Sequence, residues 1–294
     1  MPPCAKPSVP TLWRSPSRHG PPDGPPVILL HGFPDDPRTW DGVVALADPS
    51  WRLLVPWLRG YGATRFLRAD TPRSGQQAAL GADLLGFMDA LGLKQATLVG
   101  YDWGGLAACI VAALWPERVR ALVSITGYNI QDIAAAARPA AAEQELRYWY
   151  QWYFQTERGR AGLAANRHDI CRLLWRLWSP NWRFDQTTYG RTAPSFDNPD
   201  FVEVVIQSYR HRYATAPGDP ALEPLEARLA ALPPIAVPTV NLHGAADGVS
   251  PAEGSEHDAR HFTGFYERRV VPVAGHFLPR EAPEAVVEAL RTLV

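Results

Sequence analysis

From residue 27 onward, short apolar runs alternate with stretches of helical periodicity. Residues 27–30 read V-I-L-L, 52–56 R-L-L-V-P, 96–100 A-T-L-V-G and 121–125 A-L-V-S-I, each the length of a buried strand. Between them, residues 74–91 and 104–114 carry helical patterns, the first opened by a capping-box pair, Ser74 and Gln77. Strand and helix in alternation predict a parallel sheet covered on both faces. The alternation stops near residue 127 and resumes with strands at 237–242 and 269–273 and a closing helix over 282–293.

About 110 residues separate the two blocks, far beyond the roughly 12 to 15 at which structureless loops become uncommon. The expected organisation is therefore a Pro-rich lead-in at 1–26, an α/β core at 27–127 and 236–294, and an inserted helical lid at 128–235. Eleven aromatic residues fall in the 42 positions from 148 to 189, so the lid presents an aromatic layer, most of whose rings serve as its own core.

Composition narrows the function. With 294 residues, 46% apolar and 20% charged, the chain can bury one sizeable core. A formal net charge of −1 provides no basic field for nucleic acid. The longest apolar run, at 106–115, is half of the roughly 20 residues a membrane span needs. The lead-in has no apolar h-region, which places the protein in the cytoplasm. Cys4, Cys109 and Cys171 are widely spaced and without a C-x-x-C, so they read as free thiols rather than a disulfide framework or zinc site. No H-E-x-x-H or dinucleotide fingerprint occurs, and no metal or cofactor is implied.

The strongest chemical signal follows A-T-L-V-G: Gly100, Tyr101, Asp102, Trp103, Gly104 and Gly105 lead into an apolar helix. A strand, a Gly-flanked residue and a helix have the layout of a nucleophile elbow. Here the projecting side chain is a carboxylate. Serine attacking a saturated carbon would leave a stable ether, whereas aspartate leaves an ester that water can cleave, so the motif points to displacement at sp3 carbon. The alternative is an ordinary helix N-terminal Asp. After V-I-L-L come His31, Gly32, Phe33 and Pro34, a turn that can aim the Phe33 N–H toward the elbow, where it would join the Trp103 N–H as an oxyanion hole. His31 reads as a turn residue rather than a base. Asp247 in H-G-A-A-D and His276 in A-G-H-F each follow a late strand, giving the chain order nucleophile, acid, histidine. Asp247 could also be a plain turn residue before Gly248, and Asp132 is the competing acid.

H-G-F-P, G-Y-D-W-G-G, H-G-A-A-D and G-H-F together resemble the soluble epoxide hydrolases of the α/β-hydrolase superfamily, over nearly everything from residue 27 onward. The resemblance implies a mostly parallel central sheet flanked by helices, with a helical cap inserted after the sixth strand. It also implies hydrolysis of a small apolar epoxide to a vicinal diol. Asp102 would be the nucleophile, and His276, oriented by Asp247, would activate water. Two cap tyrosines would hold the epoxide oxygen: Tyr209 in S-Y-R-H, and Tyr150 in Y-W-Y-Q, with Tyr148 and Tyr153 as competitors for the first role. Pro34, Trp149 and Tyr153 would border the pocket.

Haloalkane dehalogenases share the Asp elbow and triad. Trp103 could donate to a halide, but Phe33 stands where many of them have Asn. Fluoroacetate dehalogenases bind a carboxylate through arginines just after the nucleophile; Trp103 and Leu106 occupy that stretch here, which disfavours a small anionic substrate. Trp57 stands where related hydrolases often place Asp, with no account beyond packing. A binding protein that keeps the fold without turnover is the alternative of a different class. Monomer and homodimer both remain open.

Overall fold

The computed structural model describes residues 11–12 and 17–294; Cys4 and the other residues of 1–10 and 13–16 lie outside the described residues. Strands β1 (Thr11–Leu12), β2 (Ser17–His19), β3 (Pro26–Leu30), β4 (Arg52–Val55), β5 (Arg65–Phe66), β6 (Ala96–Tyr101), β7 (Val119–Ile125), β8 (Thr239–Gly244) and β9 (Tyr266–Val271) form two sheets. The large one has the order β2-β4-β3-β6-β7-β8-β9, parallel throughout except for the antiparallel edge strand β2; β1 and β5 pair separately.

The central strands are apolar because both of their faces are covered. Helices α1 (Asp41–Leu46), α2 (Gln77–Ala90) and α3 (Trp103–Leu114) accompany the first half, and α10 (Leu278–Glu281) and α11 (Pro283–Leu293) close the chain. Val27 through Leu30 and the α3 stretch from Ala107 through Ala112 are fully inaccessible.

The insertion leaves the sheet after β7, sixth in the eight-strand scheme of the fold the sequence resembles and fifth of the seven strands described in this sheet. It contains α4 (Ala142–Arg147), α5 (Trp149–Phe154), α6 (Glu157–Trp178), α7 (Gln186–Thr192), α8 (Phe201–Arg212) and α9 (Glu223–Leu229). No helix among the described residues is long and apolar enough to cross a membrane.

Two local expectations differ from the structure. The capping box of Ser74 and Gln77 does not form. Instead α2 begins at Gln77, and Glu226 reaches over from α9 to accept from the Ala78 N–H at 3.0 Å and from the Gln76 and Gln77 amides. A carboxylate at the helix N-terminus does the work expected of the local serine. The last strand starts earlier than expected, at Tyr266, and ends before Pro272, which has no N–H to continue the ladder.

The topology decides where chemistry can occur. Parallel strands deliver their following loops to one edge of the sheet, and ligands of open α/β sheets bind there, where the strand order reverses. Leu30 of β3 lies level with Gly100 of β6, so the H-G-F-P turn and the elbow at Asp102 emerge side by side. Asp247 and His276 follow β8 and β9 at the same edge.

Candidate active site

Asp102 occupies a strained turn, with φ 51° and ψ −124° between β6 and α3. A non-glycine residue held at such angles costs on the order of 1–3 kcal/mol, which the surroundings must offset. They do so through glycine. A Cβ on Gly100 would lie 2.3 Å from the Gly104 carbonyl oxygen, and one on Gly104 would lie 2.1 Å from that of Leu30. The sharp strand-to-helix bend needs both to be bare.

The Asp102 carboxylate has two unlike oxygens. Oδ1 accepts from the backbone N–H of Phe33 and of Trp103, each at 2.7 Å. Oδ2 faces the His276 imidazole, 3.7 Å from Nε2. That separation is too long for a hydrogen bond, so Asp102 acts on the ring as a charge. His276 Nδ1 lies 2.8 Å from Asp247 Oδ2. Asp247 Oδ1 accepts from the N–H groups of Val249 and Ser250 at 2.9 and 2.8 Å, so the Asp both makes the turn before Gly248 and faces the ring. Burial pulls the His276 imidazolium toward deprotonation, but the Asp247 carboxylate and the Asp102 charge outweigh it and lift its pKa to about 10.

The insertion helps hold these loops. The Trp178 carbonyl at the end of α6 accepts from the N–H of both Gly248 and His276, at 2.9 and 3.1 Å, and the Trp178 ring meets the His276 ring edge-on at 5.0 Å. Glu281 accepts from the Gly275 N–H at 2.9 Å and from Ser179, whose hydroxyl accepts from the Phe277 N–H at 3.0 Å. Below the H-G-F-P turn, buried Asp35 pairs with Arg280 and accepts from the Tyr101 hydroxyl at 2.7 Å. Asp36 accepts from Ser195 and Thr192 of the insertion. Sequence reasoning passed over this pair of acids; two consecutive carboxylates directly after a turn motif were the available signal.

A cavity of about 730 Å³ opens over this edge, and Asp102, Trp103 and His276 line it. Tyr148 is in its wall. Tyr150 and Tyr209, expected to meet the substrate, are buried and do not line the cavity; their rings are 5.3 Å apart and nearly perpendicular, 6.3 and 5.5 Å from the Phe33 ring. Burial, reinforced by the Asp102 charge, raises the pKa of both phenols, so both stay protonated; Arg212 pulls the other way.

Pro34, Trp149 and Tyr153, expected at the pocket, do not line this cavity. The Pro34 carbonyl instead accepts from the Trp175 indole at 2.7 Å. Trp149 and Tyr153 share the opposite face of α5, where the Tyr153 hydroxyl presses against Gly162 of α6. Wall residues that the sequence did not signal include Gln131 and Arg212. Arg212 follows Tyr209 by three positions, one helical turn, which is the signal that could have found it.

His31 sits in the turn as expected, its Nε2 accepting from the Leu58 N–H at 3.0 Å. Asp132 is exposed at the cavity mouth and accepts from the Ala135 N–H rather than meeting His276. Cys109 and Cys171 are free and buried. Trp57 packs under the insertion, its indole 3.4 Å from Ser195 Oγ.

The chain belongs to the α/β-hydrolase fold family, whose model matches residues 25–283. Within it, a solved Klebsiella pneumoniae protein provisionally assigned as an epoxide hydrolase is similar at 45% identity and a TM-score of 0.91, over 96% of both chains. Epoxide hydrolase A of Mycobacterium tuberculosis is 27% identical over 92% of this chain and 90% of that protein. Epoxide hydrolase B of the same organism is 34% identical over 47% of this chain and 43% of that one, so this match spans less than half of that relative's length.

Proposed function

We propose that this protein is an epoxide hydrolase that opens a small-molecule epoxide to a vicinal diol through an ester on Asp102. The observation that carries the reading is the division of the Asp102 carboxylate: Oδ1 is bound by two backbone N–H groups, and Oδ2 faces the histidine. The kinship with proteins named epoxide hydrolases supports the substrate class.

In the first step Oδ2 attacks a ring carbon, the carbon–oxygen bond of the ring breaks, and its electron pair goes to the ring oxygen. A phenol proton from Tyr150 or Tyr209 neutralises the developing alkoxide, a role suited to protonated tyrosines. In the second step His276 Nε2 takes a proton from water as the hydroxide adds to Asp102 Cγ. The new oxyanion forms on Oδ1, against the N–H groups of Phe33 and Trp103 that already hold it. The intermediate then collapses, Oδ2 leaves with the diol and takes the histidine proton, and the proton that the water left on the Asp102 carboxyl is released to solvent as the tyrosinate takes one back.

The electrostatics suit this order. Free Asp102 helps hold His276 protonated, but alkylation removes that negative charge. The imidazole pKa then falls, the ring releases its proton to solvent, and it becomes a base at the stage when one is needed.

The test is His276→Gln mixed with excess styrene oxide, followed by mass spectrometry of the intact protein and its peptides. The expected result is a stable adduct of one epoxide mapped to the peptide containing Asp102. A variant that forms no adduct and turns over like the wild type would overturn the proposal. A second reading, haloalkane displacement, draws on the buried Trp103 indole N–H, which has no partner among the described residues and could receive a halide. Bromide release from bromoalkanes without diol formation from epoxides would select it.

A further inference from the structure

Arg212 is the last residue of α8, one turn beyond Tyr209, and it lines the same cavity as Asp102 and His276. Its guanidinium lies over the Tyr209 ring, 5.3 Å from the centroid. In the orientation that satisfies both groups, the Gln131 amide oxygen accepts from its Nε at 3.2 Å and Nη2 at 2.8 Å. Among the described residues no Asp or Glu forms an ion pair with it. The phenols of Tyr148, Tyr150 and Tyr213 and the Asp102 carboxylate are near enough to interact with its charge.

A part-buried guanidinium has five N–H donors, and Gln131 and an aromatic face leave several of them free. Two other buried guanidiniums each have a carboxylate: Arg59 pairs with Asp83, and Arg280 pairs with Asp35. The forked geometry of Arg matches a carboxylate with two parallel hydrogen bonds. A ligand carboxylate would give Arg212 the same pairing. The sequence reading looked for such a cation directly after the nucleophile and found Trp103 and Leu106; the fold brings one from the insertion instead.

We propose that Arg212 makes this a hydrolase of epoxides that carry a carboxylate, holding that group at the cavity wall while the ring meets Asp102. The inference rests on the epoxide reading for the reaction, though not for the anion site itself. Gln131 orients the guanidinium, which lies over Tyr209, one of the two phenols assigned to the epoxide oxygen.

The test compares terminal epoxy-carboxylates of increasing chain length with their carboxamides, in the wild type, Arg212→Met and Arg212→Lys. A charge-assisted bidentate contact predicts a kcat/KM for acid over amide of about ten- to a hundredfold at the best length in the wild type. In Arg212→Met that ratio falls to near one, and Arg212→Lys keeps part of it. A wild type indifferent to the carboxylate overturns the proposal, and so does a preference that survives in Arg212→Met. If Arg212 served only to tune the tyrosines, acid and amide would slow together and the ratio would persist. A second measurement separates the anion site from the reaction: calorimetric binding of the matching saturated carboxylates and amides. If no epoxide is opened, the epoxide reading fails, while carboxylate-selective binding lost in Arg212→Met still upholds the site; equal binding of acid and amide removes it.

Discussion

Gly32→Ala probes the tightest approach in the site. An ideal Cβ there would lie 2.4 Å from Asp102 Cβ and 2.6 Å from Oδ1. Carbon atoms in contact sit about 3.5–4.0 Å apart, so something must shift by about an ångström. The three nearest atoms all belong to the Asp102 side chain, which makes that side chain the part that yields. Its Oδ1 would leave one or both N–H donors, and Oδ2 would lose its aim. Loss of one oxyanion donor costs about 10²–10³ in rate, and a 1 Å misplacement costs about 10². Rapid-quench mass spectrometry of the Asp102 peptide, run beside chemical denaturation, measures both chemical steps and the fold. The expected outcome is turnover at least about a hundredfold lower in a protein that still folds cooperatively. Gly190→Ala in α7 is the control, since its Cβ would meet nothing within 4 Å; helix propensity predicts unchanged turnover and up to about 1 kcal/mol of added stability. A folded Gly32→Ala variant within about threefold of wild-type turnover would refute the close-approach argument.

The buried Arg59–Asp83 pair, with both side chains almost inaccessible and 2.7 Å apart, should be costly to break from one side. Asp83→Ala is expected to lose about 3–5 kcal/mol in urea unfolding at neutral pH, and a loss under about 1 kcal/mol would contradict that estimate. The raised His276 pKa also makes stability depend on pH. A group lifted from 6.5 to about 10 contributes fully below pH 6.5 and loses its contribution as pH rises toward 10. Urea midpoints of the wild type should therefore fall further across that window than those of His276→Gln; parallel curves would show that Asp247 and Asp102 do not hold the proton.

What the sequence disclosed followed from locality. Asp102, Asp247 and His276 each lie just past an apolar run with glycines nearby, so their strand-end positions were visible without knowing how the strands pair. Strand β2 was invisible because all three of its residues are exposed at a sheet edge and carry no apolar signature. The cap on α2 comes from Glu226, about 150 positions away, and no local pattern can announce such a partner. The cavity wall was misjudged within α5 because neighbouring helical positions differ by about 100° in direction. Within α5 it is Gln151 and Trp152 that line the cavity, while Trp149, Tyr150 and Tyr153 point elsewhere, and only docking on the core selects between these directions. Arg212 escaped for the same reason.

The account depends most on a covalent bond to Asp102, and oxygen exchange reads that bond directly. With enzyme in excess over a turned-over epoxide in heavy-oxygen water, the diol of the first turnover should carry no label, because its new oxygen was Oδ2, and the label should appear in the Asp102 peptide. Heavy oxygen in the first-turnover diol, with an unlabelled Asp102 peptide, would mean that water attacks the epoxide directly and that the carboxylate is never alkylated.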